Sequence, residues 1–380
     1  MIAAHTPVQR PRDARLLIVD ASGRIRHSAR DAFVGLLKPH DLVIANDAAT
    51  LPASLHGRHA PSGAVVEVRL AGRPSLALEF ERASARPRQS GSERVAAEAG
   101  RSLLTADVHR FVAVVFGAGD FRTRTEDRRL PPKLAPGDRL ELGPLSATVE
   151  SLLDHPRLVS LRFDGAARDI WAGLARHGRP IQYAHVPAPL ALWDVWTPIA
   201  ATPVAFEPPS AGFVLDWASI RAMHRRGVAF ATLTLAAGIS STGDPDLDRR
   251  LPFDEPYRIP ASTAAAIHEA RRQGGRVVAI GTTVVRALEH AAGRDGVVQP
   301  GEGVANQRLG PASELRVVDA ILSGTHEPDS SHYQLLRAFA DDVTLADATA
   351  ALEASGYRTH EFGDSVFVER RNRVVRQIAA

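Results

Sequence analysis

Short apolar runs bounded by turn residues fill the first half of the chain, and longer helical periods fill the second. Arg15 to Asp20 (RLLIVD) and Leu42 to Ala45 (LVIA) read as buried strands, the first closed by a Ser22-Gly23 turn, the second ending at Asn46-Asp47. Asp31 to Leu37 between them has a short helical pattern, so the start reads as βαβ-like. Five runs follow: Ala64–Leu70, Leu76–Arg82, Arg110–Phe116, Asp138–Leu142 and Leu158–Phe163. They are β-rich and separated by Gly, Pro and charged turns, which predicts a small antiparallel barrel or sandwich. The polar segment Ser84 to Arg101 reads as loop.

From about Ala167 the period becomes helical, and strands then alternate with helices. Asp216–Arg226, Ser262–Gln273, Thr283–Ala292, Ser330–Phe339 and Leu345–Ser355 read as helices, Val228–Leu235 and Arg276–Ile280 as strands. The alternation predicts an α/β domain with a mostly parallel sheet and flanking helices. Residues 1–60 and 160–380 would build it, and 61–159 would form the inserted antiparallel β-barrel.

Composition narrows the class. At 380 residues the chain is too long for one ordinary core, and 44% hydrophobic with 23% charged residues is the profile of a soluble globular protein. The absence of cysteine removes disulfides, thiolate metal sites and a Cys nucleophile together. No apolar run approaches the roughly 18 residues of a membrane helix, and Met1 to Asp13 has no stretch of signal-peptide length. A cytoplasmic protein with no membrane partner is expected. A net charge of +3 argues for no particular ligand. Of 46 basic residues all but Lys38 and Lys133 are arginine, the better fork for phosphate and carboxylate, which permits RNA binding without requiring it.

Three segments carry candidate chemistry. In Arg276 to Glu289 (RVVAIGTTVVRALE) an apolar strand runs through Gly281-Thr282-Thr283 into a helix, at the strand end where α/β sheets bind ligands and free amides attract anions. Thr282 or Thr283 can cap that helix, and Arg286 and Glu289, spaced i, i+3, can pair on its surface. The bland reading is a capped helix with a solvated ion pair. Ser323 to Ser330 (SGTHEPDS) follows another apolar run, and His326 beside Glu327 suits acid–base or orienting work. Its bland reading is an exposed histidine before a helix capped by Asp329 or Ser330. Glu207 to Gly212 (EPPSAG) is a rigid turn of small residues that lets a flat ligand approach the backbone. His177, His185 and His224 lack metal-ligand spacing, and neither a Walker A loop nor a G-x-S-x-G elbow occurs, so metal and triad chemistry are not expected.

Taken in order, these segments resemble the S-adenosylmethionine:tRNA ribosyltransferase-isomerase family of queuosine biosynthesis. Pro39–Leu55 (PHDLVIANDAATLPASL) is similar to its GDLLVxNxTRVxPARL, Glu207–Leu215 (EPPSAGFVL) to its APTAGLHF, and Leu233–Thr242 (LTLAAGISST) to its VTLHVGxGTF. Arg276–Glu289 matches RVxAVGTTSVRxLE closely, Val318–Ser331 (VDAILSGTHEPDSS) is similar to VDALxTNFHLPxST, and Tyr357–Val366 (YRTHEFGDSV) to YRFFSYGDAM. The resemblance implies an α/β domain with an inserted barrel. It also implies transfer and isomerisation of the ribosyl part of S-adenosylmethionine onto a 7-aminomethyl-7-deazaguanine in tRNA, with S-adenosylmethionine as substrate, no metal and tRNA as partner. A monomer is expected.

Carried over residue by residue, His326 and Glu289 become the catalytic candidates, and Pro209, Ser210, Ala211, Gly212, Gly281, Thr282, Thr283, Arg286 and Asp364 the substrate-binding ones. The chain departs from the family where Val214 and Ala236 replace histidines and where Ala49 and Ser54 replace arginines. Those changes remove proton-transfer groups and phosphate-binding groups. They keep two alternatives open: a diverged paralogue that binds S-adenosylmethionine or a nucleoside with another acceptor, and a non-catalytic RNA- or ligand-binding protein.

Overall fold

The structure is a computed structural model and describes residues 1–74, 102, 104, 107–292, 295–328 and 330–371. The expected strand Leu76–Arg82, the loop Ser84–Arg101 and the capping candidate Asp329 lie outside the described residues.

In chain order the strands are β1 (Ile2–Ala3), β2 (Arg15–Val19), β3 (Ile25–Ala29), β4 (Leu42–Asn46), β5 (Ala48–Thr50), β6 (Ser54–His59), β7 (Val65–Gly72), β8 (Arg110–Phe116), β9 (Arg139–Leu142), β10 (Leu145–Leu152) and β11 (Leu158–Phe163). Then follow β12 (Thr202–Ala205), β13 (Ala229–Leu235), β14 (Glu255–Ile259), β15 (Val277–Ile280), β16 (Gly301–Ala305), β17 (Ala320–Gly324), β18 (Arg358–Thr359) and β19 (Ser365–Glu369). The helices used below are α1 (Ala167–His177), α2 (Trp217–Arg225), α3 (Ala261–Arg272), α4 (Thr282–Ala291), α5 (Ser331–Leu336) and α6 (Asp342–Ala354).

Nine strands form one twisted sheet in the order β16-β14-β13-β4-β15-β17-β19-β2-β3. Its centre, β13-β4-β15-β17, is parallel, and antiparallel pairings flank it on both sides. Central strands buried on both faces need uninterrupted apolar sequence. In β4, Leu42 and Ile44 pack into a core with α3, α4 and α6, whereas Val43 and Ala45 pack on the opposite face with Phe33 and Met223.

The chain does not begin as a βαβ unit. β2 turns back on itself as a hairpin with β3 and lies parallel to β19, four strands away from β4. The Ser22-Gly23 turn makes this possible: Gly23 sits at φ +87°, and the Asp20 carboxylate accepts from the Ser22 and Arg24 amides. Because β3 (IRHSA) is an exposed edge strand, no apolar alternation reveals it. The Asp31–Leu37 pattern is a 3₁₀ turn over Arg30–Leu36.

A closed antiparallel barrel, β10-β11-β8-β7-β6-β9, interrupts the sheet. Alternating burial along β9 and β10 points Leu140, Leu142, Leu145, Ala147 and Val149 inward around Phe111, Phe116 and Phe163. Its strands run from Ser54 to Phe163, wider at both ends than the 61–159 expected, since β6 (SLHGRH) is too polar to read as a strand. The chain enters and leaves the barrel at one point. Ser54 and Arg179 exchange backbone hydrogen bonds of 2.8 and 2.9 Å. Among the described residues no helix is long and apolar enough to cross a membrane.

Candidate functional site

One cleft, holding roughly 750 Å³ of non-protein space that opens to solvent, lies at the carboxyl ends of β13, β15 and β17. Parallel strands place their outgoing loops on one edge, so segments far apart in sequence meet there. After β15 come Gly281, Thr282, Thr283 and Arg286; after β17 comes His326, beside Ser323 and Gly324. Ala237–Ser240 follow β13, and Ser331, His332 and Leu335 come from α5. Glu207 to Ala211 close the remaining side.

Gly281 is the N-cap of α4, so neither threonine caps it. Its φ of +91° suits only glycine, and an added Cβ would come within 3.3 Å of the Ala211 Cβ. The strand-to-helix turn and the Glu207–Gly212 turn are thus in direct contact.

Five titratable side chains line the cleft. Arg286 and Glu255 form a buried ion pair, and Glu255 also accepts from the Gly238 amide at 2.9 Å. The Arg286 guanidinium further donates to the carbonyls of Ala305, Gln307 and Phe253, leaving only its Nε without a partner among the described residues. Glu207 is 8% exposed and forms no ion pair among the described residues. Burial pushes its carboxyl up to about 7, against the pull of hydrogen bonds from Ser240 and Tyr183. His326 stacks on His332 with ring centroids 4.6 Å apart, and its Nε2 lies 3.0 Å from the Ser323 hydroxyl. Burial, with neighbouring imidazoles, holds His326 well below the usual range. Burial and nearby Arg286 lower His332 to about 4, so both rings are neutral at pH 7. Among the described residues, no group of three or more His, Asp or Glu is placed to hold a metal.

The family model for "Queuosine biosynthesis protein" matches residues 1–368. This chain belongs to that family. Queuosine-family relatives named S-adenosylmethionine:tRNA ribosyltransferase-isomerase include one from Sorangium cellulosum, 32% identical over 97% of this chain and 95% of its own length. A second, from Gluconacetobacter diazotrophicus, is also 32% identical, covering 97% and 93%. A crystal structure of an S-adenosylmethionine tRNA ribosyltransferase from Thermotoga maritima aligns over 96% of both chains at 23% identity and a TM-score of 0.47.

Within this queuosine-family chain the expected site residues divide. Pro209, Ser210, Ala211, Gly281, Thr282, Thr283, Arg286 and His326 all line the cleft. Gly212 does not: it is buried behind the turn, where an added Cβ would lie 3.0 Å from Thr197 Cγ2. Asp364 is a structural clamp. Its fully buried carboxylate accepts from the Arg15 and Arg358 amides at 2.8 Å, tying β2 to β18.

Glu289 does not pair with Arg286 and does not line the cleft; its carboxylate accepts from the amides of Arg316, Val317 and Val318 at 2.7–2.9 Å. It holds the loop leading into β17. Charged hydrogen bonds of this kind are worth about 1.5–3 kcal/mol, so Glu289→Ala should lower unfolding free energy by about that amount in urea titration. Cleft ligands should bind the variant as they bind the wild type.

Sequence reasoning passed over Glu207, Tyr183, Glu255 and His332. The available signals were thin: Glu207 opens the Pro-Pro turn, and His332 stands six residues after His326 in an ordinary helix start. His185 stacks on His360 with ring centroids 4.1 Å apart, and His185 lines a small second cavity together with Glu207.

Proposed function

We propose that the chain is an S-adenosylmethionine-dependent tRNA ribosyltransferase-isomerase, moving and isomerising the ribosyl group onto a 7-aminomethyl-7-deazaguanine in tRNA. The observation that supports it most is the convergence of three family segments, at Glu207, Gly281 and His326, on one cleft in a chain that aligns end to end with relatives of that name. The reaction requires removal of a ribose C5′ proton made acidic by the adjoining sulfonium. In this reading Glu207 takes that proton, held by Tyr183, while His326 and His332 act as neutral hydrogen-bonding partners for the sugar. Ala211, Ile239 and Leu335 offer apolar contact to the flat base, and Gly281 lets backbone approach closely. Arg286 is engaged with Glu255, so it shapes the wall. The enzyme would work in the cytoplasm, as a monomer.

Calorimetry with S-adenosylmethionine, followed by assays for adenine and methionine release with and without substrate tRNA, tests the reading. Binding with tRNA-dependent release is expected. Absence of binding would overturn it. The apolar residues at Val214 and Ala236 favour a second reading, a diverged enzyme with another acceptor. Release that proceeds without tRNA, and is not stimulated by it, would select that one.

A further inference from the structure

The chain has four tryptophans, and none is buried. Three of them stand on turns next to the cleft wall: Trp193 is 77% exposed, Trp217 60% and Trp196 41%. A cluster of exposed indoles on a soluble surface marks a place where something docks. The local bonding sets the turns that carry them side by side. Val195 and Phe213 belong to one buried apolar cluster, and Thr197 touches Gly212, so the tryptophan turn lies against the 3₁₀ turn whose Ser210 and Ala211 line the cleft. The N-terminal segment staples the two turns. Gln9 Nε2 donates to the carbonyls of Asp194 and Trp196 at 3.0 and 2.8 Å, and the Arg10 guanidinium donates to those of Phe213 and Leu215 at 3.3 and 3.0 Å. Trp217 follows two residues later and opens α2. Trp196 is fixed from below by its own indole N–H, which donates to the Thr50 carbonyl at 2.9 Å.

The charge around these turns is positive. Arg10 and Arg12 are exposed beside the staple, and Arg221 and Arg225 lie one and two turns along α2 on the Trp217 face. None of Arg12, Arg221 and Arg225 makes an ion pair among the described residues. Three carboxylates stand nearby, each turned to a partner of its own: Asp13 pairs with Arg358, Asp194 accepts from the Ala191 amide and Asp216 from the Ser219 amide and hydroxyl, so the four arginines outnumber them by one.

We infer that Trp193, Trp196 and Trp217, with the arginines of α2, form the docking surface for the unpaired loop nucleotides that flank the modified base in the RNA substrate. Aromatic faces stack on splayed-out bases of any sequence, and unpaired arginines follow the phosphates between them. A base delivered to the cleft brings its loop neighbours onto this surface. The assignment rests on the tRNA reading above and names the surface that reading lacks.

The test is fluorescence anisotropy of a labelled RNA stem–loop that carries 7-aminomethyl-7-deazaguanine in its loop, titrated with the full-length protein at several salt concentrations. Trp193→Ala with Trp217→Ala should weaken binding by about tenfold or more. Arg221→Gln with Arg225→Gln should make the plot of log affinity against log salt shallower by about 0.7 for each phosphate that is no longer neutralised. Calorimetric affinity for S-adenosylmethionine should be unchanged in both variants, which also shows that they fold. Wild-type protein that binds S-adenosylmethionine but no stem–loop would sink the tRNA reading and this surface with it. Wild-type binding that the tryptophan variants retain in full would overturn the surface alone. Sedimentation provides the remaining outcome: a wild-type dimer that the tryptophan variants dissociate would assign the face to a second copy of the chain and overturn the RNA assignment.

Discussion

Glu207→Gln is expected to lower turnover by about 10²–10⁴-fold, the usual contribution of a positioned proton acceptor, while S-adenosylmethionine affinity stays within a few-fold. Four groups in the cleft compete for the role, and their environments separate them. His326 and His332 are held too low in basicity to take a proton readily near neutrality, and Glu255 is committed to Arg286. Glu207 combines access to the cleft with a carboxyl raised to about 7 by burial. A base of that kind must be ionised to work, so the wild-type rate should climb with pH and level off above about 7. The glutamine variant should show no such limb. Tyr183→Phe supplies a finer check. Its hydroxyl stabilises the ionised carboxylate, so removing it should move the limb to higher pH without abolishing activity. An unchanged rate and profile in Glu207→Gln would dismiss the assignment.

The largest stability effect is expected at Arg286. Arg286→Ala leaves the Glu255 carboxylate buried, unpaired and aimed at a vacated space, a change that typically costs about 3–5 kcal/mol. It also strips the Ala305 carbonyl of β16 of its 2.8 Å donor at the edge of the sheet. Removing both charges separates the two effects. Arg286→Met combined with Glu255→Gln keeps an acceptor for the Gly238 amide and should recover most of the lost stability in denaturant titration. A single-variant cost below about 1 kcal/mol would show that the ion pair does not hold the wall.

The parts of the fold that were legible are those where one strand's environment is uniform. β4 and β15 are buried on both faces, so their sequences are apolar, but for Asn46 at the end of β4, and announce themselves. β3 and β6 are partly exposed and polar, and their strand character comes from neighbours that the local sequence does not mention. The same limit governs the site. Gly281 and His326 were legible because each follows such an apolar run, and sheet geometry then brings them together.

Glu289 was misread for the complementary reason. Its spacing from Arg286 suggested a surface pair, but Arg286 found its carboxylate on β14 and Glu289 found its amides on the loop before β17. Partners donated by other elements outcompete the i, i+3 neighbour. Asp364 likewise spends its charge on Arg15, 349 positions away in sequence. Glu207 opens a segment noted for its small residues, not its charge, and only burial beside Tyr183 turns an ordinary carboxylate into a candidate base.

The bridge between Ser54 and Arg179 has a consequence for how such a chain can change over time. To the sheet, the barrel is a single loop whose neck is already drawn shut, so its length and internal sequence add little to the entropy of closing it. A module hung in this way can be lengthened, trimmed or exchanged without rerouting its host. The constraint on any replacement lies instead in the footing. Phe206, Ile239, Leu247 and Leu251 of the host pack into the barrel's own core, and Phe111 meets Phe206 edge-on with centroids 6.1 Å apart. Since Phe206 precedes Glu207 and Ile239 lines the cleft, a substitute module must offer the same apolar seat or the cleft floor shifts with it.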